Sequence, residues 1–406
     1  MSAPATRADP APVESASPAL VVGLSIHGLA VARALARQGV IVHCLADVEV
    51  PPQPTVYTRY AKVHFSRGLN SAPLDDVLLK LADRIGSARK IVLFPTSDRI
   101  AKAIAVAWPA LEARYLLSWS GCRELVLELQ RKDSLPRYFE AAGVLYPKSR
   151  VMQSASDLGG VTAALRFPLA VKPAQPLSSF KALRVETPAA LGQCIAQYAA
   201  DLPFVVQEWI DGPEPSLYAC TTYLDHGRAL FAFTSRKIAA SPPGTGQGTV
   251  FETADCPDAR EAALRFVATL DLSGPVALEF KRDADGRFWL IEPNVGRTEY
   301  CVDLAVQSGF NQPYIEYLHA TGQPLPQMLG VRAAPRAWFD TDKDPFCFLR
   351  NLGTLRDEHG VRRAPVFPFL GHDDRRPLLE ALRQRLWAWA RAPFTRIARR
   401  FQPAAS

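Results

Sequence analysis

No apolar run in this chain reaches the ~18–20 residues that a membrane-spanning helix needs. None of its seven cysteines (Cys44, Cys122, Cys194, Cys220, Cys256, Cys301, Cys347) stands in a Cys-x-x-Cys pair. Their scatter and odd number fit reduced thiols and argue against a disulfide framework or a zinc site. Residues 1–18, rich in Ala, Pro and Ser with Asp9 and Glu14, lack the apolar centre of a signal peptide and read as a disordered leader of a cytoplasmic protein. Basic residues are not gathered along the body of the chain. The net charge of +7 is carried by Arg375, Arg376, Arg383, Arg385, Arg391, Arg396, Arg399 and Arg400 near the end, which speaks against a nucleic-acid partner. The dinucleotide fingerprint G-x-G-x-x-G is also missing. The turn Gly23-x₄-Gly28 has the wrong spacing, and Asp47 is a weak stand-in for the ribose-binding acid, so the glycines read as packing features.

What is present is an ordinary globular composition, 48% hydrophobic and 21% charged over 406 residues. That length predicts two or three domains of about 100–200 residues each. From Ala19 to Gly39 the pattern runs strand, glycine turn, helix, glycine cap. Val40–Leu45 and Ile91–Pro95 read as further strands, the latter followed by a helix from Arg99. This alternation predicts a parallel, doubly wound sheet over residues 19–120. Beyond 121 the pattern becomes α+β: a helix over Arg131–Val144, a buried strand Pro168–Pro173 carrying Lys172, a strand Pro203–Ile210, two strands around Asp225-His226-Gly227, and a helix over 258–270.

Two apolar strands that carry carboxylates dominate the functional signal. Val276–Phe280 and Phe288–Gly296 flank Asp285-Gly286, a hairpin-turn dipeptide. Alternation along each strand lets Glu279, Glu292 and Asn294 converge on one point. Two carboxylates and an amide oxygen suit Mg²⁺, a hard cation that completes its shell with substrate phosphates. A solvated hairpin would place polar residues around Glu279. Its neighbours are Leu278 and Phe280, so a partner for the charge is expected.

Taken in order, these segments resemble the ATP-grasp superfamily. Within it they are similar to ATP-dependent carboligases (carboxylate–amine ligases) related to carbamoyl-phosphate synthase and D-aspartate ligase. The likeness runs over residues 20–325 and includes Tyr57-Thr58-Arg59-Tyr60 and Phe94–Asp98 in the first half. It implies a Rossmann-like pre-ATP-grasp domain (19–120), a two-subdomain ATP-grasp fold (121–330, with a lid over about 150–212) and an extension (331–406) ending in a basic amphipathic helix. It also implies site roles. Lys132 and Lys172 would contact the α- and β-phosphates. Gln207, Glu208, Trp209 and Ile210 would form the adenine hinge, with the backbone of Glu208 and Ile210 reading the base, the Glu208 side chain helping, and Trp209 packing. Glu214 would bind ribose, and Glu279, Glu292 and Asn294 the metal. Arg236 or Lys237 would steady the transferred phosphoryl group. They are adjacent on a strand, so only one can face the site, and Arg236 is favoured.

Two departures stand out against that pattern. The glycine-rich phosphate loop is replaced by Gln175–Lys181, in which Ser178, Ser179 and Lys181 are the available donors. Arg297 sits one residue later than the usual Asn-Pro-Arg end of the metal strand. The resemblance implies ATP with Mg²⁺ (or Mn²⁺) and an acylphosphate formed from a substrate carboxylate, then displaced by an amine. It also allows a homodimer. Left open are an ATP-binding scaffold without turnover and, through residues 20–50, a nicotinamide-dependent oxidoreductase. His27 and Asp98, Glu299 and Tyr300 are candidates for shaping the substrate site, although His27 also suits a loop and Asp98 a helix cap. Leu378, Leu379, Leu382, Leu386, Trp389 and Phe394 recur at helical spacing between arginines after Pro377. Such a helix could lie on the inner face of an anionic membrane, dock on a partner, or pack on the enzyme's own body.

Overall fold

The computed structural model describes residues 16–49, 51–69, 73–174, 180, 182–212, 215–243, 246–357 and 359–387. Its first sheet consists of β1 (Ala19–Val22), β2 (Val42–Asp47), β3 (Lys62–Ser66), β4 (Ile91–Pro95) and β5 (Tyr115–Leu116), in the order β3-β2-β1-β4-β5. Every pairing is parallel, and β1 and β4 are buried along their whole length, because helices cover both faces. The doubly wound sheet read from the sequence is therefore present. At the first turn, a Cβ on Gly28 would lie 2.1 Å from the carbonyl oxygen of Gly23. Gly28 thus lets the helix Ile26–Ala36 press against its own incoming loop, a packing role.

A second sheet is antiparallel: β6 (Ser149–Met152), β7 (Leu169–Pro173), β8 (Leu183–Val185) and β9 (Phe204–Glu208), ordered β6-β9-β7-β8. One of its faces (Leu169, Val171, Phe204, Val206) packs on the helices Leu158–Ala164 and Pro188–Gln197 and forms a core of its own. The other face carries Lys172 and Gln207. Strand alternation makes one sheet serve as both a core layer and a binding surface.

The largest sheet joins β10 (Leu217–Asp225), β11 (Arg228–Ala229), β12 (Phe233–Ser241), β13 (Gln247–Thr253), β14 (Gly274–Arg282), β15 (Phe288–Val295), β16 (Arg336–Phe339) and β17 (Ala364–Val366). Its order is β15-β14-β10-β12-β13-β16-β17, with β11 hairpinned on β10. The β10–β11 turn holds His226 at φ 50° and Gly227 at φ 75°, the left-handed pair that a two-residue hairpin turn demands. A continuous core runs from Leu20 and Leu93 of the first sheet through Trp119 and Val126 to Leu278, Phe280 and Leu290 of this one. The hairpin is thereby anchored to the first sheet, whereas the lid keeps a separate core.

Residues 331–366 do not stand apart as an extension, because β16 and β17 widen the large sheet. The segment after them returns to the first sheet. Arg33, almost fully buried, donates Nε to Asp374 at 3.0 Å and also bonds the carbonyls of Pro368 and Phe369. Thr58 Oγ1 donates to the same carboxylate at 2.7 Å and the amide of Arg59 at 3.1 Å, while Arg37 and Tyr60 hold Asp373. The helix expected over Arg131–Val144 is confined to Leu135–Ala141, and residues 131–134 form turns. A final helix covers 376–387. Trp389, Phe394 and the arginines from Arg391 onward lie outside the described residues.

Candidate active site

The carboxylate hairpin has the expected register, with one refinement. Glu279 lies directly opposite Glu292 and Ala277 opposite Asn294, but Phe280 pairs with Leu290, leaving Ile291 as a bulge. In an unbulged strand Leu290 and Glu292 would share a face. The extra residue turns Leu290 into the core beside Phe280 and Glu292 out beside Glu279. Asn294 Nδ2 donates to Glu279 Oε1 at 3.2 Å, and Asn294 Oδ1 accepts from Arg297 Nη2 at 2.9 Å.

Cations surround this pair. Lys132 Nζ donates to Glu292 Oε2 at 2.8 Å, and the Lys132 amide bonds the Ala174 carbonyl at the end of β7, so the lysine bridges hairpin and lid. Lys132 holds the Glu292 carboxyl down at about 2. Glu292 in turn raises the ammonium of Lys132. Burial pulls Lys172 down to about 8, against the attraction of Glu292. Glu279 is raised, first by burial and then by the neighbouring Glu292, and Lys237 and Arg297 offset part of that shift. Two carboxylates forced together, one of them resisting ionisation, form a donor set that a divalent cation would relieve. Among the described residues there is no cluster of three or more His, Cys, Asp or Glu side chains. The set that fits a metal is the two carboxylates plus the Asn294 amide oxygen.

Several expected roles meet a different geometry. Arg236 pairs with Tyr218 and Glu252, on the sheet face opposite Glu279, and its Nε donates to Glu252 at 2.8 Å. Glu252, buried, also holds Arg363 at 3.1 Å. Lys237, one residue on, shares the face of Glu279. The favoured residue of the two is therefore the one turned away, because β12 enters the sheet in the opposite phase. Glu208 also faces away from Lys172. Its carboxylate accepts from the Arg166 amide at 3.1 Å and pairs with the Arg166 guanidinium, and its own N–H is taken by the Lys148 carbonyl. Gln207 points the right way but donates to the hydroxyl of Tyr146. Trp209 packs under the Arg184 guanidinium, 4.9 Å from its ring centre. Ile210 follows at the lid's exit, half-buried. Ser178, Ser179, Lys181 and Glu214 lie outside the described residues.

Beyond the hairpin, Ser97 rather than Asp98 caps the helix Asp98–Leu111, accepting from the Ile100 amide. Asp98 is thereby free to grip Arg297 in a forked pair at 2.6 and 3.1 Å. This tie between the first sheet and the end of β15 was not legible in sequence, where Asp98 and Arg297 stand far apart. His27 is buried, with Nδ1 donating to the Thr96 carbonyl at 3.0 Å and Nε2 accepting from Thr298 at 2.7 Å, and burial lowers it to about 3. It is a neutral strut. Glu299 accepts from Thr221 at 2.6 Å, and burial raises it to about 7. Tyr300 instead donates to Asp340 at 2.7 Å. Tyr146, close enough to Glu292 to feel its charge, carried no sequence signal.

A lysine-bearing antiparallel lid over a large sheet with a Glu-Glu-Asn hairpin, preceded by a doubly wound domain, is the ATP-grasp architecture. Solved structures share the fold. One is the biotin carboxylase domain of the Hydrogenobacter thermophilus 2-oxoglutarate carboxylase, solved with MgADP, ADP and bicarbonate (TM-score 0.64, 14% identity, 78% of this chain and 73% of that one). Another is an ADP complex of N5-carboxyaminoimidazole ribonucleotide synthetase (TM-score 0.63, 15% identity, 86% and 90%). A third is the L-amino acid ligase of Bacillus licheniformis (TM-score 0.60, 16% identity, 79% and 78%).

In sequence, the chain is 39% identical over 201 residues to a D-alanine–D-alanine ligase of Marinobacter nauticus, covering 45% of this chain and 59% of that ligase. It is 28% identical over 185 residues to the corresponding ligase of Stutzerimonas stutzeri, covering 40% and 54%. The chain thus spans little more than half the length of the curated relatives it matches. No family model matches. Fold and sequence together place the chain in the ATP-grasp superfamily.

Proposed function

We propose that the protein is an ATP- and Mg²⁺-dependent ligase that joins a carboxylate to an amine with release of ADP and phosphate. The observation that carries this reading is the convergence of Lys132, Glu292, Glu279, Asn294 and Arg297 beneath the lid strand bearing Lys172. In the first half-reaction a substrate carboxylate oxygen bonds to the γ-phosphorus as the bond to the ADP oxygen breaks. The amine nitrogen then bonds to the acyl carbon as phosphate leaves, and the nitrogen gives up a proton. Such chemistry needs positioning and charge neutralisation more than a protein nucleophile. Lys132 and Lys172 supply fixed positive charge to the phosphates, and Lys237 stands on the correct face to meet the transferred group. Arg297, locked by Asp98, is aimed along the metal strand. Glu279, Glu292 and Asn294 would hold Mg²⁺ (or Mn²⁺), which neutralises phosphate charge when bound. Ile210, Gln207 and the Glu208 backbone belong to the proposed adenine side. Ser178, Ser179, Lys181 and Glu214 complete the nucleotide contacts in the proposal.

Amino acids are the first substrates to try, because the relatives include ligases of D-alanine and of L-amino acids. The same analogy extends to a homodimer, the dimeric biotin carboxylase domain being the precedent. The decisive experiment measures ADP release from MgATP with pairs of D- and L-amino acids and identifies the product by mass. Release that requires both a carboxylate and an amine donor supports the ligase. ATP binding with no ADP from any pair would transfer the fold to the non-catalytic reading.

A further inference from the structure

The terminal helix 376–387 is moored on one side only. Ala381 is buried, Leu378 packs beside it, Gln384 Nε2 donates to the Pro52 carbonyl at 2.8 Å, and Arg385 bonds the Thr341 carbonyl. On the opposite side Leu379, Leu382 and Leu386, spaced three and four apart, are 63%, 47% and 68% exposed, and Trp387 flanks them at 51%. Residues three and four apart share a helix face, so the leucines form one continuous apolar stripe. An exposed stripe of this kind on a helix that is already docked marks a surface made to meet something else.

The chemistry of the chain beyond this helix indicates what it meets. From Ala381 to the last residue there is no Asp or Glu, but there are six arginines: Arg383, Arg385, Arg391, Arg396, Arg399 and Arg400. Trp389, Phe394, Ile397 and Phe401 alternate with them. Indole and phenyl groups beside guanidinium groups, next to a leucine stripe, match the boundary between acyl chains and anionic headgroups. A groove on a soluble protein would be paired by specific charges, whereas a run of one sign with no acidic counterpart suits a continuous anionic sheet. No described helix is long and apolar enough to cross a membrane, so the contact is peripheral.

We propose that the 376–387 helix and the arginine-rich segment after it bind the surface of an anionic lipid bilayer, laying Leu379, Leu382 and Leu386 into its interfacial layer. The face lies on the far side of the helix from the protein body, so binding leaves the ligase site free and does not depend on it. The test is co-sedimentation of the full-length protein with vesicles of phosphatidylcholine alone or mixed with phosphatidylglycerol, at low and high salt. The proposal expects pelleting with the anionic vesicles, at least ~tenfold less with the neutral ones, and loss of most binding as salt screens the arginines. It expects Leu379→Glu/Leu382→Glu/Leu386→Glu to stay in the supernatant with an unchanged unfolding midpoint, because those side chains already face water. Arg391→Glu/Arg396→Glu/Arg399→Glu/Arg400→Glu, which touches no described contact, is expected to do the same. Equal partition of wild type with and without anionic lipid, or undiminished pelleting of both variants, overturns it.

Discussion

Replacing Glu292 by Gln separates the site's chemistry from the fold's stability. Glu292 and Lys132 are 2.8 Å apart with side chains 29% and 28% exposed, between a surface pair and a buried one. Removing the charge should therefore cost only ~1–2 kcal/mol of stability, because the Lys132 ammonium can turn to water. In a chain of this size that corresponds to a few degrees in unfolding midpoint. Turnover suffers more, for two reasons that act together. One of the two carboxylates proposed to hold the metal is lost. Glu292 is also the leading group keeping Lys172 protonated, so burial would drive that lysine below about 8 and weaken its charge at neutral pH. A loss of two to three decades in ADP release, ~3–4 kcal/mol of transition-state stabilisation, is expected. A coupled ADP assay alongside thermal unfolding reads both quantities. Turnover within a factor of two of wild type would refute the reasoning, as would a loss that tracks unfolding.

Other outcomes follow from single contacts. Lys237→Ala should depress ADP release by one to two decades with little change in stability, whereas Arg236→Ala should chiefly loosen Glu252 and cost ~1–2 kcal/mol in urea unfolding; the reverse pattern would restore Arg236 to the site. Asp374→Ala strands the buried Arg33 and should destabilise by ~3–5 kcal/mol, measured by urea unfolding. Glu316, buried against Ser118, is raised by burial to about 8, so the folded state holds a proton that the unfolded state releases. Stability should then fall as pH rises from the ordinary carboxyl range to about 8, and Glu316→Gln should flatten that slope, gaining ~2 kcal/mol above it.

The layered fold was largely legible because glycine turns and alternating apolar runs encode it locally. The hairpin could be read because Asp285-Gly286 fixes its register. Side-chain facing was harder. The bulge at Ile291 changes nothing in composition, and the phase at which β12 enters the sheet depends on pairing with β10, which is nonlocal. The Glu208 carboxylate was assigned to the nucleotide although strand alternation from Lys172 and Gln207 already turned it away. Residues 331–366 looked like an extension because β16 and β17 are short and pair with β13 and each other across long gaps. The Asp98–Arg297 and Arg33–Asp374 ties join distant segments, and no periodicity announces such contacts.

The central claim is that these residues form an ATP–metal site, and thermal unfolding of the full chain with Mg²⁺ and ATP, ADP or NAD tests it most directly. At 100-fold excess over the dissociation constant, binding to the folded state alone should add ~2.7 kcal/mol. A rise with ATP and ADP but not NAD, abolished by EDTA and in Glu279→Ala/Glu292→Ala, is the predicted result. No rise with ATP, or a rise that survives both EDTA and the double substitution, would contradict it.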